Sequence, residues 1–299
     1  MDKEKLRGHI SALFTVGVWG TTFIATKILL ENFTPVEIMF VRFLIGLVTL
    51  SLLHPGITRL RSRSQEKYYV SAALTGITLY YLFENNALTY TYASHVGVII
   101  AAIPFFTGIL SFFVYKDRSA LHWQFFAGFL LAMSGIVLIS VGEKEFHISP
   151  LGDLLALGAA LCWAAYTLIM RKIGSFGYDP LSDTRRIFTW GVILSVPVCI
   201  FSDFYIGWTD LLSFRSVALF LYLGILACAV CYILWNKAIN TIGAVQVNLY
   251  LYLNPVIALT ASALILKEPV TARSLAGTAL ILSGLFLSQT RFPGKPVSG

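Results

Sequence analysis

The chain has 299 residues, of which 57% are hydrophobic and only 12% are charged, and its mean hydropathy is +0.76. Because an ordinary soluble domain is about 25% charged, this composition excludes a soluble protein and indicates an integral membrane protein. The net charge of +7 does not indicate a nucleic-acid partner, because the cations lie at the ends of apolar runs, as the positive-inside bias predicts.

A helix that spans a bilayer needs about 20 predominantly apolar residues. The sequence contains ten such runs, and turn or charge signals separate them. We therefore predict an all-α integral membrane protein with ten transmembrane helices. The predicted helices cover residues 9–29, 35–54, 68–90, 94–115, 121–141, 150–172, 182–202, 216–239, 243–265 and 271–290.

The distribution of Lys and Arg predicts the orientation of these helices. If the N-terminus is cytoplasmic, sixteen of the 22 Lys and Arg residues fall on the cytoplasmic side. An even number of passes then places both termini in the cytoplasm. The first apolar run is too long for a signal peptide and lacks a convincing cleavage site, so we expect it to remain as the first helix. Short loops and the lack of an organelle-targeting signal favour a bacterial inner membrane for this multi-pass protein.

One stretch of the sequence occurs twice, as an internal repeat. Residues 87–117 are repeated at 238–268 with a constant offset of 151, and six of the 31 positions are identical. Both copies place a proline, Pro104 or Pro255, midway along an apolar run and end it with Lys and an acid. Further matches extend the repeat over two units of five helices, residues 1–147 and 148–299. Because five is odd, the second unit enters the membrane from the opposite side, which gives an inverted repeat typical of secondary transporters.

The order of these features resembles the drug/metabolite transporter superfamily, and within it the EamA-type exporters. The likeness rests on the arrangement of ten helices as two units of five, and on Trp19-Gly20 in the first helix. It rests also on the two helices that contain proline and end with Lys followed by Asp or Glu. The resemblance implies export of small metabolites through a central cavity lined by helices 1, 3, 4, 6, 8 and 9. The members that this chain most resembles export aromatic and other neutral amino acids. The second unit departs from the pattern, because Trp163 is followed there by Ala164.

The two proline helices supply the first candidate site residues. Proline removes a backbone donor, so Pro104 and Pro255 should kink their helices and free carbonyls, which must face protein or a water-filled cavity. Asn248 and Tyr252 share one helical face with Pro255 at spacings of four and three residues. We interpret all four as cavity residues, with a tolerated structural kink as the alternative.

One turn of predicted helix 3 concentrates the polar groups Tyr81, Glu84 and Asn85. Glu84 is the only carboxylate well inside a predicted helix. The sequence allows it to be a proton site or a contact for a substrate ammonium, and it equally allows a structural pair with Arg42 or Lys27. The same turn recurs in predicted helix 8, where its members are Tyr232, Trp235 and Asn236.

Two tryptophans, Trp19 and Trp163, lie mid-helix rather than at the membrane interface. Together with Tyr166, one turn further along, they could form an aromatic face that lines a cavity for flat apolar substrates. Packing between neighbouring helices is the alternative. Arg42 could form a site for a substrate anion, but because helix 2 lies outside the implied cavity, we expect it to pair with Glu37 on its own helix.

Other functions find less support in the sequence. A phosphate-ester exchanger of the same superfamily would need several cations inside the cavity. An intramembrane enzyme would need paired His and carboxylate groups, or a base beside Ser or Cys, and neither arrangement is visible. The chain also lacks the nucleotide motif G-x-x-x-x-G-K-[ST]. We therefore predict a monomeric secondary transporter and not an enzyme, with no cofactor and no metal. Its expected partners are the lipid bilayer and a small-molecule substrate, an amino acid or similar metabolite.

Overall fold

The computed structural model describes residues 3–56, 60–90, 93–116, 122–140, 149–202, 204–261 and 271–289. Within these residues the secondary structure is helical, and no strand is present. The helices of the first half are α1 (Lys3–Leu29), α2 (Pro35–Leu53), α3 (Glu66–Ala73), α4 (Tyr80–Tyr90), α5 (Ala93–Ile100), α6 (Ile103–Tyr115) and α7 (Trp123–Ser140). Those of the second half are α8 (Pro150–Gly174), α9 (Pro180–Phe201), α10 (Trp208–Leu211), α11 (Phe214–Leu221), α12 (Cys231–Ile242), α13 (Ala244–Leu249), α14 (Asn254–Ala261) and α15 (Ala272–Gln289).

Local sequence signals set where the long helices begin. Thr34 and Glu37 form a capping box at the start of α2, in which each side chain accepts a hydrogen bond from the other residue's backbone N–H. Asp179 accepts from two backbone N–H groups at the start of α9, and Ser149 accepts from one at the start of α8. These caps satisfy N–H groups that a helix terminus otherwise leaves without partners.

Five helical stretches in the described part of the chain are long and apolar enough to cross a membrane. They are Lys3–Leu29, Pro35–Leu53, Pro150–Gly174, Pro180–Phe201 and Phe214–Ile242. The predicted run 94–115 and the described part of run 243–265 are divided into shorter helices, and a π-helical turn interrupts run 68–90 as it does Phe214–Ile242. The divisions come from local irregularities of the backbone, which a count of apolar residues does not detect.

Each half of the chain contains a π-helical turn, at Leu74–Leu79 between α3 and α4 and at Tyr222–Val230 between α11 and α12. In both turns one backbone carbonyl loses its usual α-helical partner. The N–H of Cys231 donates to the carbonyls of Cys228 and Leu226. It does not donate to the carbonyl of Ala227, four residues earlier, which would be its partner in a regular α-helix. In the first half the N–H of Tyr80 donates to the Ile77 carbonyl and not to the Gly76 carbonyl, four residues earlier.

Aromatic side chains from the opposite half bond the two carbonyls that the π-turns release. The Trp19 indole Nε1–H donates to the Ala227 oxygen at 2.9 Å, and the Tyr232 hydroxyl donates to the Gly76 oxygen at 2.9 Å. A released carbonyl in a membrane interior has no water to bond, so an internal donor is required. The irregular turns therefore tie the two halves of the chain together at their centre.

The two prolines mark the other breaks, as the sequence predicted. Pro104 lies in the first turn of α6, after a short turn at residues 101 and 102 that separates it from α5. Pro255 follows a 3-10 turn, Tyr250–Leu253, that separates α13 from α14. At both sites the proline begins a new helix, where its missing N–H has no helical partner to lose.

The helices α7 and α15 pack closely through small residues. A Cβ atom on Gly128 would lie 2.6 Å from the Gly284 carbonyl oxygen, and one on Gly135 would lie 2.5 Å from that of Gly277. Only glycine allows the two backbones to approach this closely, which is a recurrent way to pack helices in a membrane. The other helices surround a larger core in which α1 packs against α12 and α4 packs against α8.

The bundle has two distinct ends. At one end α1 begins, and hydrogen bonds join the segments near it: the Tyr178 hydroxyl donates to Gln65 at 2.9 Å, and the Arg61 side chain donates to the Phe176 carbonyl. We call this the basic end; its exposed cations include Lys5, Arg61, Lys67, Lys172 and Lys237. At the opposite, aromatic end, the side chains of Phe201, Tyr205, Trp208 and Phe214 are 72–91% exposed.

Candidate functional site

Aromatic side chains from both halves of the chain meet at the centre of the bundle. The ring of Trp19 lies 5.1 Å from that of Trp163 and 4.9 Å from that of Trp235, measured between centroids. Edge-to-face and tilted contacts of this kind are the favoured geometry for aromatic pairs. We call this group the aromatic cluster; its members are Trp19, Tyr80, Tyr81, Trp163, Tyr166, Tyr232 and Trp235.

Residues that the sequence repeat makes equivalent contact each other within the aromatic cluster. Trp19 touches Trp163, its counterpart at an offset of 144. The hydroxyl of Tyr81 lies 3.5 Å from that of Tyr232, its counterpart at an offset of 151. Equivalent residues of two related units meet only near an axis that relates the units. The centre of the aromatic cluster is therefore where the two halves face each other.

A small cavity adjoins the aromatic cluster on the side towards the aromatic end. Its volume is about 30 Å³, which is room for one or two water molecules. Of the residues predicted from the sequence, Trp19, Tyr81, Glu84 and Trp163 line it. The other lining residues, which sequence reasoning missed, are Thr22, Phe23, Tyr80, Ile100, Ile103, Leu251 and Asn254.

The carboxylate of Glu84 faces this cavity. The residue is 7% exposed, and its Oε1 accepts a hydrogen bond of 3.0 Å from the Tyr80 hydroxyl one turn earlier on α4. Within the described residues no Lys, Arg or His nitrogen lies within 4 Å of its carboxylate oxygens. A carboxylate in a membrane interior is costly unless a partner neutralises it. The direct pair with Arg42 or Lys27, which the sequence allowed as one alternative, is thus not formed among these residues.

Arg42 lies behind Tyr81 and is 2% exposed. Its guanidinium carbon is 4.4 Å from the centroid of the Tyr81 ring, and its Nε donates to the Cys228 sulfur at 3.3 Å. The expected pair with Glu37 is wrong, because the Glu37 carboxylate accepts instead from the backbone N–H groups of Thr34 and Tyr205. Helix α2 therefore places a cation beside the aromatic cluster, and the Tyr81 ring separates this cation from the cavity.

Several buried polar atoms around the cavity have no hydrogen-bond partner among the described residues. They are the indole Nε1 of Trp163, the Oδ1 of Asn254 and, deeper in the aromatic cluster, the Nε1 of Trp235. An unsatisfied buried polar group costs about 1–3 kcal/mol. Trp163 and Asn254 both line the cavity, so a molecule that enters it can meet these groups.

Between the cavity and the basic end, the helices are joined by hydrogen bonds between buried side chains. The Asn248 amide of α13 donates to Thr107 of α6 at 2.7 Å and to Thr167 of α8 at 3.3 Å. The Tyr166 hydroxyl donates to Asn236 at 2.7 Å, and Asn236 in turn donates to Thr184 at 3.0 Å. We call these bonds the polar clasp; they connect α6, α8, α9, α12 and α13 on the side of the cavity towards the basic end.

The remaining predicted site residues lie around the cavity without lining it. Tyr232 and Trp235 belong to the aromatic cluster, and Tyr166 and Asn248 belong to the polar clasp. Asn85 donates to the Pro35 carbonyl at 3.0 Å. Tyr252 is fully buried in a second core cluster with Ala101 and Phe125. Pro104 and Pro255 each follow a lining residue, Ile103 and Asn254 respectively.

The described residues contain no group of three or more His, Cys, Asp or Glu that could hold a metal ion. In the Cys-x-x-Cys pair, Cys228 and Cys231 are buried free cysteines, and Cys228 accepts from Arg42. Their surroundings are those of small residues packed between membrane helices.

Comparison with known proteins assigns the chain to a family. The sequence profile of the EamA-like transporter family matches it twice, over residues 6–141 and 150–290. The chain belongs to the EamA-like transporter family. It is therefore a membrane transporter built from two repeats and not an enzyme, and its setting is a cell membrane that it crosses several times.

Relatives of similar length agree with the EamA assignment, and a solved structure shares the fold. A protein named "Uncharacterized transporter" from Archaeoglobus fulgidus is 28% identical over 291 residues, which are 95% of this chain and 97% of that protein. A protein named "Probable amino-acid metabolite efflux pump" from Escherichia coli (strain K12) is 26% identical over 289 residues, 93% of each chain. A solved crystal structure superposes with a TM-score of 0.73 over 97% of each chain. Its sequence is 18% identical, so this likeness concerns the fold alone.

Proposed function

We propose that this EamA-family protein is a secondary transporter that exports small amphipathic metabolites, and that neutral and aromatic amino acids are its substrates. The observation that carries the proposal is a central cavity that combines aromatic walls with one carboxylate, that of Glu84. The walls suit an apolar or aromatic side chain, and the carboxylate suits an ammonium group. Two bacterial relatives that carry the name "Probable amino-acid metabolite efflux pump" are consistent with this substrate class.

The free polar atoms of the cavity suggest how an amino acid would lie in it. Its ammonium group would bind the Glu84 carboxylate, which accepts one bond from Tyr80 and has lone pairs left. Its carboxylate would accept from the Trp163 indole N–H, and the Asn254 Oδ1 would accept a second bond from its ammonium group; both atoms lack partners among the described residues. Its side chain would lie against Trp19 and Phe23.

The proposed architecture has ten transmembrane helices with both termini in the cytoplasm. Three of the ten passes would be the divided helices α3–α4, α5–α6 and α13–α14. The cations support this orientation, because Lys and Arg of the described residues concentrate at the basic end. The exposed aromatic side chains of the opposite end, such as Trp208, have the character of an interfacial belt.

We further propose that residues 1–147 and 148–299 are inverted repeats. Two observations support this assignment. The π-turns Leu74–Leu79 and Tyr222–Val230 overlap when the offset of 151 is applied. Each turn has a carbonyl that accepts from an aromatic side chain of the other half. Two inverted units can exchange conformations, and the exchange would open the protein alternately to the two sides.

The cavity of about 30 Å³ is too small for an amino acid, so this conformation is closed around the site. Alternating access would require the polar clasp to break when the basic end opens to the cytoplasm. Each bond of the clasp contributes only about 0.5–1.5 kcal/mol net. A substrate that binds better to one conformation can therefore shift the balance between the two.

The phosphate-ester alternative finds no support in the cavity. None of the lining residues that the structure describes is Lys or Arg, whereas a dianion would need several. Arg42 is separated from the cavity by the Tyr81 ring and is bonded to Cys228.

The test is counterflow of radiolabelled phenylalanine into proteoliposomes that contain the purified full chain and unlabelled phenylalanine. We expect uptake above that of protein-free liposomes and competition by other neutral amino acids. Trp163→Ala is expected to weaken apparent affinity for aromatic substrates while the protein stays folded. A folded protein that gives no uptake of phenylalanine or leucine would contradict the proposed substrate class.

A further inference from the structure

A second cavity lies on the outside of the bundle, on a different face of α8 from the aromatic cluster. It is a groove of about 430 Å³ between α3, α6 and α8. We call it the α6–α8 groove; Leu110 and Val114 of α6, Ala165 and Ile169 of α8, and Tyr68 and Lys172 at the basic end define it. Val114 is 62% exposed, so the groove opens outwards to the face that contacts the membrane.

The groove is apolar along its length and basic at one end. On α8, Ala165, Ile169 and Lys172 lie at spacings of four and three, so they share one face of the helix. From Ala165 to Lys172 the helix rises about 10 Å. The groove therefore runs from a charged position at the membrane surface into the hydrocarbon layer, along the path that the acyl chain of a lipid follows.

The cations around its charged end contact aromatic rings. The Lys67 ammonium is 5.2 Å from the Tyr68 ring centroid, and the Lys172 ammonium is 5.8 Å from that of Phe176. Both lysines are exposed, and neither forms an ion pair within the described residues. The nearby carboxylate of Glu66 is already bonded to Arg186 at 2.6 Å. The positive charge at the mouth of the groove is thus available to an anion.

A tyrosine that lines the groove, Tyr115, contacts a further cation. The Arg171 guanidinium carbon lies 4.5 Å from the Tyr115 ring centroid. The Tyr115 hydroxyl donates to the Leu168 carbonyl at 2.9 Å, which fixes the ring between α6 and α8. Basic pockets between helices at a membrane surface recognise phosphate headgroups.

We propose that the α6–α8 groove binds one anionic phospholipid. An acyl chain of the lipid lies along Ala165 and Ile169, and its phosphate lies between Lys67 and Lys172. Charge complementarity selects an anionic lipid over a zwitterionic one, because the headgroup of a zwitterionic lipid carries its own cation. This site is separate from the proposed substrate cavity and does not depend on the substrate class.

The experiment titrates the detergent-purified full chain with phosphatidylglycerol or phosphatidylcholine of identical acyl chains and counts bound lipids by native mass spectrometry. We expect one phosphatidylglycerol to bind more tightly than any phosphatidylcholine. Each lysine near a membrane surface is worth about a fivefold change in affinity. The double variant Lys67→Ala/Lys172→Ala should therefore weaken phosphatidylglycerol binding about 25-fold.

Two further variants separate the groove from a general charge effect. Lys5→Ala/Lys237→Ala removes the same charge from the basic end outside the groove and should leave binding unchanged. Ala165→Leu fills the groove and should weaken binding with the cations intact; if that variant does not fold, Val114→Trp tests the same point from the exposed side. Equal binding of the two lipids would overturn the proposal. The proposal would also be overturned if Lys5→Ala/Lys237→Ala weakened phosphatidylglycerol binding as much as Lys67→Ala/Lys172→Ala does. Unchanged phosphatidylglycerol binding in a folded groove-filling variant would overturn it as well.

Discussion

Trp19 and Trp163 offer a matched pair of perturbations, because the same substitution should have different consequences at the two positions. The rings are in contact, with centroids 5.1 Å apart, and both are buried. Trp19 donates to the Ala227 carbonyl, whereas the Trp163 N–H has no partner among the described residues. Replacing either by Phe removes one indole N–H and a similar amount of buried ring.

For Trp19→Phe, the loss of the donor leaves the Ala227 carbonyl without its bond inside the π-turn. The cost of an unsatisfied buried acceptor is about 1–3 kcal/mol. Trp163→Phe breaks no hydrogen bond among the residues that the structure describes. Because the loss of ring area is common to both variants, Trp19→Phe should be less stable than Trp163→Phe by about 1–3 kcal/mol.

The effect on transport should be reversed. If the Trp163 N–H donates to the substrate carboxylate, its removal takes away a hydrogen bond to a charged group, worth about 1.5–3 kcal/mol. The apparent affinity for phenylalanine should then fall about 10-fold to 100-fold, and Trp19→Phe should change it less. The assays are denaturant unfolding of the detergent-solubilised protein and counterflow titration in proteoliposomes. Equal stability of the two variants would refute the assigned role of the Ala227 bond, and unchanged affinity in Trp163→Phe would refute the substrate contact.

Three further predictions concern the carboxylate, the polar clasp and the orientation. Glu84→Gln should weaken counterflow of phenylalanine at least tenfold because it removes the partner of the substrate ammonium, and it should not lower the stability of the protein. Equal apparent affinity for phenylalanine in the variant and in the unaltered protein would contradict this prediction. Asn248→Leu removes two hydrogen bonds of the polar clasp, worth about 1–3 kcal/mol together, so the basic end should open more often. The reporter is a Ser111→Cys substitution in a chain without native cysteines: Ser111 is buried, and the cysteine should react faster with maleimide when Asn248 is Leu. In such a chain a cysteine at exposed Ser64 should be labelled only from the cytoplasmic side and one at Thr209 only from outside; the reverse pattern would invert the topology.

The residues that sequence reasoning found share one property: their chemistry is unusual for a membrane interior. Glu84 stood out as a carboxylate inside an apolar run, and Trp19 and Trp163 stood out as mid-helix tryptophans. Such residues need partners or a cavity wherever they lie. The missed lining residues Ile100 and Leu251 are ordinary apolar side chains, and no sequence signal separates them from lipid-facing ones.

Arg42 illustrates why pairing could not be predicted. Glu37 lies five residues earlier on the same helix, and opposite charges near each other on a helix are a reasonable guess. The Glu37 carboxylate instead closes the capping box of α2 and binds the Tyr205 N–H, which is distant in sequence. Arg42 turns towards Tyr81 and Cys228, from two other helices. The competing partners exist only after the helices have packed.

The sequence by itself determined the class of protein, because apolar length and the positions of Lys and Arg follow from the energetics of the bilayer alone. It also determined the repeat and the two proline breaks, because these follow directly from the identity and the order of the residues. Only the tertiary structure decided the π-turns, the side chains that satisfy their carbonyls, the polar clasp and the α6–α8 groove. The π-turns are irregularities of the backbone that the pattern of apolar residues does not mark. The other three features depend on distances between helices that are far apart in the chain, and a local pattern of residues carries no information about those distances.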